Sequence, residues 1–153
     1  AHVADISRSA GADFIFQADI TIPTSGGVGS LIFRASAAGT TGYLVDFDPN
    51  LHRVALRNAV TGIIATGAIG GVQGATSRVK VAAVGSSIKV WVDGYAAPAI
   101  DVMDTSASTG YFGLAVQRHG YIPRRYPDSS TRLLLRTAPA SVPLHRTDWY
   151  CRR

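Results

Sequence analysis

Arg34, in the run SLIFRAS, is the side chain whose type and place invite the most chemistry. By strand parity it lies on the face opposite Leu31 and Phe33. A guanidinium there offers a rigid fork of five donors that matches vicinal hydroxyls or a carboxylate. An exposed strand arginine paired with a neighbouring Asp has the same signature. Asp104, in DVMDTSASTGYFG, supplies an acceptor carboxylate, or else caps its own turn with Thr105 and Ser106. Trp91 alternates with Ile88, Val90 and Val92, so its indole belongs to the open face of a sheet, where it could stack on a ring or pack beneath a loop. Tyr43, Arg57 and Tyr111 are further candidates of the same kind. Asp46 and Asp48 share a face if their strand runs that far, as a cation site or an acid pair, although Asp48-Pro49-Asn50 has the make-up of a turn.

These side chains need strands to position them. From Ser77 to Val116 the chain holds alternating runs, with Val79/Val81 and then Ile88/Val90/Val92 at period two, joined by Val-Gly-Ser-Ser and Asp-Gly turns. This predicts an antiparallel meander closed by a third run. Upstream, Asp13 to Ile22 alternates Phe14, Phe16, Ala18 and Ile20 against polar neighbours until Pro23 ends it. Further strands are predicted at Ser30–Ser36, Tyr43–Phe47 and His52–Asn58, and a weak edge strand or loop at Ile63–Ile69. No part of residues 1–116 sustains helical spacing, so the fold class is all-β.

Charge divides the chain more sharply than composition does. Residues 1–116 carry seven Arg and Lys against eight Asp, whereas residues 117–153 carry eight Arg against two Asp. The formal net charge of +5 therefore comes from the tail, and a nucleic-acid reading would rest on that segment alone, which lacks aromatics on a formed platform. No apolar run reaches the length a membrane span needs, and the first residues lack a signal pattern. The single Cys151 makes no internal disulfide.

The succession of a VxAxGxxIKVxxDG hairpin, an Asp101-x-x-Asp104 loop and a Gly-Tyr-Phe-Gly-Leu strand resembles the C-terminal β-sandwich appended to family 32 glycoside hydrolases, the levanases and inulinases. That sandwich belongs to the concanavalin-like, laminin-G-like jelly-roll group and includes carbohydrate-binding module family 66. DFIFQADITI and SLIFRAS fit its opening strands. The resemblance implies a jelly roll over residues 1–116 serving as a non-catalytic, sugar-binding domain of a secreted hydrolase. Its partners would be a polysaccharide or oligosaccharide, fructan above all, and a catalytic glycosidase domain in the parent chain, with no nucleic acid and no membrane. It implies binding through Arg34 and Asp104, with a ring platform from Trp91 or Tyr111, and needs no cofactor. A structural sandwich that packs on the catalytic domain without binding sugar is the alternative. The family often carries a carboxylate on the strand where Arg57 falls, a departure that bears on fructose-type recognition.

Catalysis fits poorly. The chain has no Glu, and a retaining glycosidase needs two carboxyl groups across the scissile bond. The four His are scattered, leaving no zinc spacing, and TSGGVG matches no phosphate-cradling pattern. After Val116 the alternation stops. Gln-Arg-His-Gly-Tyr-Ile stands where the family continues Asn/Ser-Gly-Thr-Ala-x-Phe, and these codons read one nucleotide later permit the family residues. Residues 117–153 are thus expected to be an atypical basic tail, frame-shifted or vector-derived, with a genuine Arg-rich extension as the alternative, and in it only SSTRLLLRT suits a regular element.

Overall fold

The structure, a computed structural model, describes residues 2–24, 26–117, 133–138 and 145–148, with side chains described from Gly11 to Gln117 apart from residue 25. It is a sandwich of two six-stranded antiparallel sheets. In chain order the strands are β1 His2–Gly11, β2 Phe14–Thr21, β3 Val28–Ala35, β4 Tyr43–Asp48, β5 Arg53–Asn58 and β6 Gly62–Ala68, followed by β7 Thr76–Val84, β8 Ser87–Val92, β9 Ile100–Met103, β10 Gly110–Gln117, β11 Leu133–Ala138 and β12 His145–Asp148. Sheet A runs β1-β10-β3-β4-β5-β6 and sheet B runs β12-β11-β2-β7-β8-β9.

The period-two runs form the core. Phe14, Phe16, Ala18 and Ile20 of β2, with Val79, Val81, Ile88, Val90 and Val92 of β7 and β8, face Leu31, Phe33, Val45, Phe47, Val54 and Leu56 of sheet A. Phe112 of β10 joins them edge-on to Phe14, with ring centroids 4.7 Å apart. The expected meander is shorter than its sequence suggests. Its three strands are β7, β8 and β9, and β10 crosses to the other sheet, where it lies between β1 and β3. The weak segment is an edge strand, β6. Strand β1 was not foreshadowed, because HVADISRSAG interrupts its apolar residues with polar ones, and an edge strand needs no clean alternation. Downstream, β11 starts inside SSTRLLLRT, ends one residue past it at Ala138 and pairs with β2, while β12 pairs with β11. The rest of the basic tail lies outside the described residues.

One irregularity shapes everything near β3. Gly113 is opposite Ile32, yet Tyr111 is opposite Ala35, so Phe33 and Arg34 together face the single residue Phe112. This is a β-bulge, and Arg34 takes a left-handed φ of +48° to make it. Two glycines close on the bulge. A Cβ on Gly42 would lie 2.6 Å from the Ala35 Cα, and one on Gly110 would lie 2.5 Å from the Ala35 carbonyl oxygen. Gly110→Ala, which adds that clash to a φ of +151°, should therefore cost more than about 1 kcal/mol in urea unfolding. Gly85→Ala, at φ +54° with nothing within 4 Å, should cost only about 1 kcal/mol of left-handed strain. The reverse order would show that the bulge is not held by this close approach.

Candidate functional site

The bulge decides where Arg34 goes. Simple alternation sets it opposite Leu31 and Phe33; the extra residue instead turns it inward with Phe33, and this corrects the expectation of an outward arginine. Its side chain is 1% exposed. Nε and Nη2 donate to the Ala12 carbonyl at 3.0 and 2.8 Å, and Nη1 donates to the Ala107 carbonyl at 3.2 Å. The guanidinium carbon lies 5.9 Å from the Phe14 ring centre, and Asp13 stands 3.8 Å away. So placed, Arg34 ties the β1–β2 turn to the loop after β9 and offers almost no surface to a ligand.

Tyr43 and Asp104 anchor the same loop. Tyr43 is fully buried and stacks on Phe33, with ring centroids 5.2 Å apart. Its hydroxyl donates to Asp104 Oδ1 and accepts from the Ala107 N–H at 3.1 Å. Asp104 Oδ1 also accepts the Ser106 N–H at 2.8 Å, the turn-capping role open to it in the sequence. Hydrogen bonding by the Ser106 side chain and by Tyr43 holds the Asp104 carboxyl below its usual range, while burial and then the Asp104 hydrogen bond push the Tyr43 phenol up.

A different polar group stands on the outer face of sheet A. With Val54 and Leu56 in the core, Arg53, Ala55 and Arg57 point the other way. Arg57 Nε donates to Asp46 Oδ2 at 2.5 Å, and Ser30 Oγ donates to Asp46 Oδ1 at 2.7 Å. Asp46 is thereby fixed between two central strands, and it in turn fixes Arg57, whose side chain is 36% exposed. The Nη1 and Nη2 groups of Arg57 have no acceptor among the described residues. Asp48 does not pair with Asp46. It is buried and accepts from the N–H groups of Asn50 and Leu51 in a local turn.

The remaining nominated residues are separated from these. Tyr111, alternating with the core residue Phe112, is half-buried on the outer face of sheet A, three strands from Arg57 and roughly 15 Å away by strand spacing. Trp91 belongs to the outer face of sheet B, where the Lys80 ammonium lies 4.3 Å from its ring centre. The structure thus brings Arg34, Tyr43 and Asp104 together at one loop edge, places Arg57 and Tyr111 on one face, and sets Trp91 on the opposite side of the sandwich. Sequence reasoning missed Ser30 and the Asp46–Arg57 pairing. The hairpin register would have found the pair, since Asp46 is opposite Ala55 and so diagonal to Arg57.

No family model matches the chain. A levanase from Bacillus sp. (strain L7) is 33% identical over 113 residues, which is 71% of this chain and 12% of the levanase. Among solved structures, the carbohydrate binding module CBM66 from Bacillus subtilis superposes with a TM-score of 0.71 at 28% identity, covering 76% of this chain and 74% of that one. This is a sandwich of the CBM66 type, the kind appended to family 32 hydrolases. A Bacillus subtilis protein with a galectin-like fold, 14% identical at TM-score 0.64 over 76% of this chain and 71% of its own, shares the fold alone. The CBM66-type chain is an accessory, non-catalytic domain, and it spans about an eighth of the levanase it matches.

Two outcomes follow from the loop edge of this CBM66-type sandwich. Arg34→Ala strands the Ala12 and Ala107 carbonyls and removes three charge-assisted hydrogen bonds. It should lower unfolding stability by about 3 kcal/mol or more, read as the shift in urea midpoint; a loss under about 1 kcal/mol would remove the clamp. The pH profile should fall on both sides. Because the folded-state pKa of Asp104 is depressed, its contribution is present above the ordinary value of 3.8 and is lost as acid protonates it below that. Because that of Tyr43 is raised, its contribution is present below 10.0 and is lost as pH climbs beyond that value. Asp104→Asn should flatten the acid limb; an unchanged limb would exclude Asp104 as its source.

Proposed function

We propose that this domain binds a polysaccharide or oligosaccharide for an extracellular glycoside hydrolase, and that it holds the glycan on the outer face of sheet A. The observation that carries the reading is Arg57. It is half-exposed, locked in direction by Asp46, and has its four terminal N–H groups uncommitted among the described residues. A fork held in place before binding loses little side-chain entropy when it meets two neighbouring hydroxyls. Tyr111 lies on the same face, so a chain of two or three sugars laid across β10, β3, β4 and β5 meets a cation at one end and an aromatic ring at the other. Arg34, Tyr43 and Asp104 serve this face as its frame, fixing the loop beside β10. Levan or inulin is the favoured glycan because a levanase at 33% identity and the CBM66 module at 28% identity are relatives of this chain.

A second reading, packing against a catalytic domain, draws on a shallow apolar depression between Ala68, Ile69, Pro98 and Ala99, rimmed by Tyr95 at 63% exposure. Native affinity electrophoresis against levan, inulin and xylan separates the two. Retardation that Arg57→Ala abolishes supports the glycan site. Arg57→Ala should weaken binding by about 1.5–3 kcal/mol, roughly one to two orders of magnitude in Kd. It should change stability by no more than about 1 kcal/mol, the scale of a half-exposed ion pair. Migration unaffected by all three glycans would favour the packing role.

A further inference from the structure

Arg53 stands four residues before Arg57 on the same outer face of β5, about 13 Å away along the strand. Ala55, 2% exposed, lies between them, and Thr66 of β6 is its cross-strand neighbour. Among the described side chains, the other cations all have partners. Arg34 is beside Asp13, Arg57 beside Asp46, Arg78 beside Asp19, Lys89 beside Asp101, and Lys80 lies over Trp91. Arg53 has none among them. The residue directly opposite it on β4 is Asp48, but that carboxylate is buried and its Oδ1 is spent on Asn50 and Leu51. The Nε of Arg53 is shielded from water and has no acceptor among the described residues.

We propose that this strand face takes a sugar carrying an anionic group, a carboxylate or a sulfate ester, with Arg53 as the residue that selects it. This rests on the reading that the outer face of sheet A is the glycan site, and it goes beyond the neutral fructans that the relatives suggest. Asp46 already pairs with Arg57, so Arg57 suits hydroxyls, whereas Arg53 makes no direct ion pair among the described residues and keeps its fork for a ligand. A planar guanidinium without a carboxylate meets a planar carboxylate or the paired oxygens of a sulfate bidentately, and hydroxyls alone do not discharge it. The acceptor that Nε lacks is then supplied by the ligand as the guanidinium turns to meet it.

Calorimetric titration of the full chain with tri-galacturonate, a sulfated galactan oligosaccharide and an inulin oligosaccharide of equal length tests this. At about 150 mM salt, screening confines unspecific attraction to ~8 Å. One or both acidic sugars should bind at least tenfold more tightly than the neutral one, and the better of the two identifies the anion. Arg53→Gln should erase that preference and Arg53→Lys should retain part of it. Lys89→Gln, which removes the same charge from sheet B, should leave it intact. Equal affinity for acidic and neutral sugars, or a preference that survives Arg53→Gln and so comes from charge elsewhere, overturns the inference while leaving the glycan face standing. If no sugar binds and Arg57→Ala is silent in every titration, the glycan face falls and this inference with it.

Discussion

A guanidinium buried between two loops is the constraint on which this sandwich turns. Removing a charge from water is costly unless its hydrogen-bonding capacity is met, and Arg34 meets it with the main-chain carbonyls of Ala12 and Ala107. Those carbonyls belong to segments 95 residues apart in sequence, so one side chain joins the start of the fold to the loop that precedes β10. The geometry demands an inward arginine on a strand whose alternation would turn it outward. The bulge at Phe33–Arg34 supplies that turn, and Gly42 and Gly110 supply the space for it. Tyr43 and Asp104 fasten the same loop from the other side.

The consequence for the outer face is indirect but physical. Strand β10 lies between β1 and β3, and its register on β3 is set at the bulge. Fixing that register fixes Tyr111 relative to Ile32, Leu44 and Arg57, which form a row across three adjoining strands. The candidate binding groups are therefore carried on sheet backbone and not on loops, and the loop-edge cluster acts at a distance through strand pairing. Rigid presentation of this kind favours ligands recognised by hydroxyl spacing.

How much of this could be read from residues alone depends on how regular the backbone is. Strands β2, β7 and β8 alternate cleanly, and their buried members are the residues that parity names. Parity fails at Arg34 because it assumes one residue per pleat, and a bulge counts two against one. Strand β1 was hidden by its polar residues, and β9 was hidden because Asp101–Asp104 reads as a loop, so the run that forms β10 passed for the third strand of the meander. Arg57 was visible as a candidate but its partner was not. Asp46 reads most naturally beside Asp48 along the chain, whereas the fold pairs it across the hairpin and gives Asp48 to a turn. Local spacing reveals elements, and pairing between elements stays hidden until register is known.

The fold itself does not choose a ligand. A protein with a galectin-like fold at 14% identity shares the architecture without sharing its side chains. What separates one such sandwich from another is the set of groups standing on the open faces. Here the two faces differ in kind. Among the described side chains of sheet B the charges are mutually satisfied, Arg78 with Asp19 and Lys89 with Asp101, and Lys80 covers the indole of Trp91. On sheet A, Arg57 is held in place yet keeps its terminal donors free, and Arg53 has no partner among the described residues. A surface whose charges are already paired must break those pairs before it binds, whereas one with oriented, uncommitted donors need not, and that asymmetry favours sheet A as the binding face.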